Sequence, residues 1–131
     1  MQTINVVAAI IKSGNKVFIT KRGHGEFKGK WEFPGGKIEL GETPEEAIIR
    51  EIKEELKSII KVIKYFGEIN DTHGDKIFNV KFYICELVEG NLELIEHFDS
   101  KWAEPKEIKP SDFMEADKEI LDKLIEDKEF K

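Results

Sequence analysis

Residues 36–56, GKIELGETPEEAIIREIKEEL, constrain this chain more than any other stretch. They follow a glycine-proline loop, Phe33-Pro34-Gly35-Gly36, and write out a helix start. Thr43 stands at the N-cap, Pro44 at the first helical position, and Glu46 three residues past the cap. That is the spacing of a capping box, with proline where its missing N–H costs nothing. Ile48, Ile52, Leu56 and Ile59 follow at steps of four and three, one apolar stripe for a core.

With each residue turned about 100° from the last, Glu51, Glu54 and Glu55 share a second face beside that stripe. Like charges at this spacing cost a helix roughly 0.2–0.5 kcal/mol per pair. A helix built only for solubility would interleave lysine. Arg50, between Glu46 and Glu54 at i−4 and i+4, is expected to hold carboxylates by forked hydrogen bonds. A hard divalent cation is the other natural relief, because carboxylates are its preferred ligands. Such ions would in turn attract phosphate oxygens. The plain alternative is a solvated acidic face; the glycine loop, the spacing and Arg50 together favour the ion site.

These residues resemble the Nudix box, G-x5-E-x7-R-E-U-x-E-E-x-G-U, where U is a bulky aliphatic. Gly36, Glu42, Arg50, Glu51, Ile52, Glu54 and Glu55 fall in register. Lys57 and Ser58 depart, standing where the pattern has glycine and an aliphatic residue. The departure bears on how the chain leaves the helix: either Lys57 takes a positive φ at a steric cost, or the helix runs on toward Ile60. The extended form Trp31-Glu32-Phe33-Pro34-Gly35-Gly36-Lys37 is similar to the MutT-type branch, which includes 8-oxo-dGTP diphosphatases and CTP pyrophosphohydrolases.

The resemblance implies an α/β fold, an α/β/α sandwich with a mixed β-sheet, as a single domain over residues 1–131. It implies Mg2+ or Mn2+ held by Glu51, Glu54 and Glu55 and by the backbone carbonyl of Gly36. Glu51 would also help activate water. An acidic residue shortly before a tryptophan strand completes the ligands in the family, and Glu96, six residues before Trp102, matches that place. Arg22 and Lys37 match basic positions that hold substrate. Phe33 is open between core and base contact. Asp117, just before the last helix, matches the position on which base choice depends, and competes with an N-cap role. The implied reaction converts a nucleoside triphosphate, normal or oxidised, to nucleoside monophosphate and pyrophosphate. The alternatives are a Nudix hydrolase for ADP-ribose or a dinucleoside polyphosphate, and a non-catalytic nucleotide-sensing module.

Composition narrows the rest. At 131 residues, 40% hydrophobic and 37% charged, the chain reads as one soluble domain with a real core. A net charge of −6 argues against nucleic-acid polymers as partners. No apolar run approaches a membrane span, and the start lacks a basic signal-peptide flank. The single cysteine, Cys85, lies in an apolar run and suits a reducing cytoplasm. The assembly is expected to be a monomer or homodimer. The three histidines show no metal-ligand spacing.

In chain order, residues 4–11 read as a central strand, 13–15 as a turn and 17–20 as a returning strand. Residues 22–30 read as loop. Residues 61–70 and 77–88 make a hairpin around a turn at 71–75. Residues 102–104 are a short strand. A final helix carries Ile120, Leu121, Leu124 and Ile125, capped by Asp117 or Ser111, and residues 127–131 are expected to fray.

Overall fold

A computed structural model describes residues 2–23, 25, 27–94 and 99–130. Its hub is β1 (Gln2–Ser13), the strand written by the apolar run at 4–11. β1 pairs in parallel with β6 (Lys76–Glu89), from Gln2 opposite Lys76 to Ile11 opposite Cys85. It pairs antiparallel with β4 (Gly35–Lys37) through Val6, Val7 and Ala8, and at its end with β2 (Lys16–Lys21). β2 carries two further antiparallel partners, β3 (Trp31–Glu32) and β7 (Asp99–Ala103). β5 (Ile59–His73) lies antiparallel on the far side of β6. Among the described residues the order is β3-β2-β1-β6-β5, with β4 added on β1 and β7 on β2, a mixed sheet.

Alternation along β1 explains why nearly every residue of it is apolar: both faces are covered. Val7, Ala9 and Ile11 pack with Ala47, Ile48, Ile52 and Leu56 of α1 (Pro44–Leu56). Ala8 and Ile10 pack on the other side with Ile120, Leu121 and Leu124 of α2 (Lys118–Glu126). Ile48, Ile52 and Leu56 are fully buried. Burying each contributes about 1.5–3 kcal/mol, enough to hold the acidic face of the same helix in one orientation. The expected α/β/α sandwich is therefore what the chain builds.

The helix start follows the capping box: Thr43 Oγ1 accepts from Glu46 N–H at 3.1 Å, and Glu46 Oε1 accepts from Thr43 N–H at 2.9 Å. The helix end resolves the Lys57 question. Lys57 takes the left-handed conformation, φ 48° and ψ 41°, and donates to the Lys53 carbonyl, so α1 stops at Leu56. Ser58 is buried; its hydroxyl donates to the Leu56 carbonyl at 2.9 Å and accepts from Leu92 N–H at 2.8 Å. A polar bridge thus stands where the Nudix pattern has an aliphatic contact.

Three expectations are corrected. The β5–β6 hairpin turns tightly at Gly74-Asp75, so Asp71, Thr72 and His73 belong to the strand. The final helix does not reach back to Ser111: short 3-10 turns at Pro105–Glu107, Pro110–Asp112 and Glu115–Asp117 precede α2, which begins at Lys118, directly after Asp117. Residues 128–130 do not fray: Phe130 is buried in the core beneath α2, with Lys12 Nζ 5.3 Å from its ring centre. Burial of the Phe130 ring, which contributes about 1.5–3 kcal/mol, offsets part of the entropy cost of ordering these residues. Among the described residues no helix is long and apolar enough to cross a membrane.

Candidate active site

Arg50 organises the acidic face of α1. Its Nε and Nη2 fork onto Glu42 at 2.7 and 2.9 Å, and its Nη1 reaches Glu51 at 2.9 Å and Glu54 at 3.1 Å. Nη2 also donates to the Lys37 carbonyl at 3.1 Å, tying the end of β4 to the helix. The fork onto carboxylates was expected, but its partner is Glu42 rather than Glu46, which the capping box engages. The Arg50 guanidinium and the Glu39 N–H hold the Glu42 carboxyl below the usual carboxylate range. Glu42 foremost, with Glu51 and Glu39, pushes the Arg50 pKa up, against a smaller lowering by burial.

Glu51 is largely shielded and Glu54 largely exposed. Glu51 lies against the backbone of Gly36: a Cβ on that glycine would sit 2.4 Å from the Glu51 carboxylate. Only glycine permits this approach. Glu55 Oε2 is withdrawn from solvent. Among the described residues no three acidic, histidine or cysteine groups converge as a ready-made cage. Glu96 lies outside the described residues. The donor chemistry nonetheless fits a hard divalent cation: carboxylate oxygens beside a backbone that no side chain can occlude.

A cavity of about 600 Å³ opens beside this helix. Gly35, Gly36 and Glu55 line it together with Arg22, Glu32, Phe33 and Asp117. The hairpin adds Asp71, His73, Phe78 and Val80, and the loop after β2 adds Phe27. The structure thus brings Gly36, Glu55, Arg22, Phe33 and Asp117 into one space. Glu51, Glu54 and Arg50 lie on the helix face beside it. Lys37 is exposed on β4 and is absent from the cavity wall.

Asp117 is buried, and its Oδ2 accepts from Phe33 N–H at 3.4 Å. It makes no side-chain cap for α2, so of its two expected roles the N-cap is not taken. Burial first, and the Glu32 charge second, push its carboxyl up to about 7, against smaller lowering effects of Phe33 N–H and Arg22. Glu32 is itself raised by burial, which outweighs its 3.0 Å ion pair with Arg22. Phe33 is 3% exposed and packs edge-on against Phe82 and Phe113, so it serves core and cavity wall together. Trp31 is part of the core margin, flanked by Lys101 Nζ at 4.5 Å.

Sequence reasoning missed Glu32, Phe27, Asp71 and His73 as cavity residues. For the hairpin the signal was present: continuing the alternation of Phe78 and Val80 through the partner strand points Asp71 and His73 toward the same face.

The chain belongs to the NUDIX domain family, which it matches over residues 1–124. It is 32% identical over 126 residues to the 8-oxo-dGTP diphosphatase of Escherichia coli (strain K12), covering 95% of this chain and 98% of that protein. It is 39% identical over 101 residues to an ADP-ribose pyrophosphatase of Methanocaldococcus jannaschii, covering 75% of this chain and 58% of that one. Among solved structures, the E. coli ORF135 protein superposes with a TM-score of 0.83 at 29% identity, covering 95% of this chain and 90% of that one. This chain is thus a Nudix hydrolase that keeps Glu51, Glu54 and Glu55 of the box.

Proposed function

We propose that the protein hydrolyses a nucleoside triphosphate, normal or oxidised, to nucleoside monophosphate and pyrophosphate with the help of Mg2+ or Mn2+. What supports this reading most is that one cavity joins the Gly36–Glu55 end of the acidic helix to Arg22, Phe33 and Asp117. A polyphosphate and a base need such an arrangement: charge-handling groups at one end and a buried polar reader at the other.

Glu51, Glu54 and Glu55 and the Gly36 carbonyl would hold the ion, with Glu96 from the segment before β7. Bound there, a divalent ion supplies charge neutralisation at phosphate and lowers the pKa of a water. Arg50 holds Glu51 and Glu54 in place through the forked contacts described above, so the ligand set is oriented by its own helix. Glu51 serves as the base that takes the proton of the attacking water. Arg22 and Lys37 steady the phosphates. Asp117 reads the base: while it keeps its proton, below about pH 7, it both donates and accepts, and above that it only accepts. Phe33 holds the floor on which the base lies.

The near full-length match to an 8-oxo-dGTP diphosphatase favours a triphosphate over ADP-ribose, since the ADP-ribose pyrophosphatase match spans little more than half of that relative. The test is a panel of nucleotides, including 8-oxo-dGTP, CTP and dATP, and ADP-ribose, each incubated with Mg2+ and resolved by chromatography. Monophosphate and pyrophosphate in equal amounts are expected. Release of orthophosphate, or preferential cleavage of ADP-ribose, would overturn the assignment.

A further inference from the structure

The hairpin supplies Asp71, His73 and Phe78 to the cavity wall, and the chemistry proposed above uses none of them. His73 Nε2 lies 2.7 Å from Asp71 Oδ2. A carboxylate can only accept, so Nε2 carries the proton, and in the neutral ring Nδ1 is the acceptor. The ring is held edge-on from two sides. Its centre lies 6.5 Å from that of Phe27, at 62°, and 5.9 Å from that of Phe78, at 76°. The Arg22 guanidinium lies 5.8 Å from the Phe27 ring centre. Arg22, Phe27, His73 and Phe78 thus form a continuous row joining the loop after β2 to the hairpin along the cavity.

This arrangement fixes both the tautomer and the plane of a half-exposed imidazole. A histidine at the tip of a hairpin that served only solubility would need neither. Asp71 is also close enough to Asp117 for its charge to raise that carboxyl, which puts the pair near the base-reading end of the cavity.

We infer that the Asp71–His73 pair is a specificity-determining contact, presenting an imidazole acceptor to a hydrogen-bond donor on the nucleoside of the substrate. The inference rests on the nucleotide reading of the same cavity. The donor is an exocyclic amine of the base or a hydroxyl of the sugar; the two share one chemistry and are separable by substrate pairs.

GTP and ITP differ by an exocyclic amine, and ATP and dATP by a sugar hydroxyl. KM and kcat are measured for both pairs with the native protein, His73→Phe and Asp71→Asn. Phenylalanine keeps the edge-on ring and removes the acceptor. The expected result is that one native preference shrinks by about 3–10-fold in His73→Phe, the worth of one neutral hydrogen bond, with the change falling on KM rather than kcat. Asp71→Asn, which keeps the imidazole and loosens its tautomer, should shrink the same preference in part. Should His73→Phe fail to fold, as judged by its melting profile, Asp71→Asn decides. Preferences unchanged in the variants, or all substrates slowed alike, would overturn the inference while leaving the nucleotide reading intact. A native protein that neither cleaves nor is stabilised by any nucleotide would overturn both.

Discussion

Replacing Asp117 with asparagine tests the electrostatics of the cavity floor. The Asp117 carboxyl is buried and held up at about 7, against 3.8 for an ordinary aspartate. Between those values the folded protein keeps a proton that the unfolded chain has released. The unfolded state therefore binds fewer protons, and stability falls as pH rises through this window. The full loss is about 4 kcal/mol, of which about half falls between about pH 5.5 and about pH 8.5. Asparagine cannot ionise, and its carbonyl can still accept from Phe33 N–H, the contact that Asp117 makes at 3.4 Å. Asp117→Asn should therefore gain about 2 kcal/mol on the native protein on going from the lower pH to the higher. Urea unfolding of both proteins at the two pH values measures this. A native-minus-variant difference that is the same at both would refute the argument that burial and Glu32 hold the proton on.

Ser58→Ala should cost about 1–3 kcal/mol in urea unfolding, because the buried Leu92 N–H loses its 2.8 Å acceptor. Lys57→Gly should stabilise by about 1 kcal/mol, relieving a side chain at φ 48°, with the loss of its 3.9 Å surface contact to Glu93 counting little. Gly36→Ala should lower kcat about 10²-fold in steady-state assays, because the new Cβ, 2.4 Å from the Glu51 carboxylate, drives that group out of position.

Much of the fold was legible because the deciding signals were local. Thr43, Pro44 and Glu46 specify a helix start whatever surrounds them, and the unbroken apolar run of β1 states that both faces are covered. The clustered glutamates and Arg50 pointed to the acidic face before any contact was known. What was not legible depends on partners distant in sequence. Asp117 reads equally well as a cap, and only the close passage of the 113–117 segment beside Trp31 turns it to Phe33 N–H. Asp71 and His73 look like turn residues by composition; the tight Gly74-Asp75 turn keeps them in the strand and so on the cavity wall. Phe130 looked like a fraying end because nothing local says that the core beneath α2 has room for it. Lys57 was undecidable because a non-glycine residue takes a left-handed conformation only where tertiary contacts impose it, and here Ser58 and Leu92 do so.

The proposed grip of the acidic face of α1 on a divalent ion is tested directly, without reference to turnover, by Mn2+ binding followed by electron paramagnetic resonance. The native protein is expected to take up Mn2+, and Glu51→Gln and Glu54→Gln each to bind it about tenfold or more weakly, since the number of charged ligands sets affinity. Mn2+ uptake that is equal in the native protein and in both variants would contradict the claim.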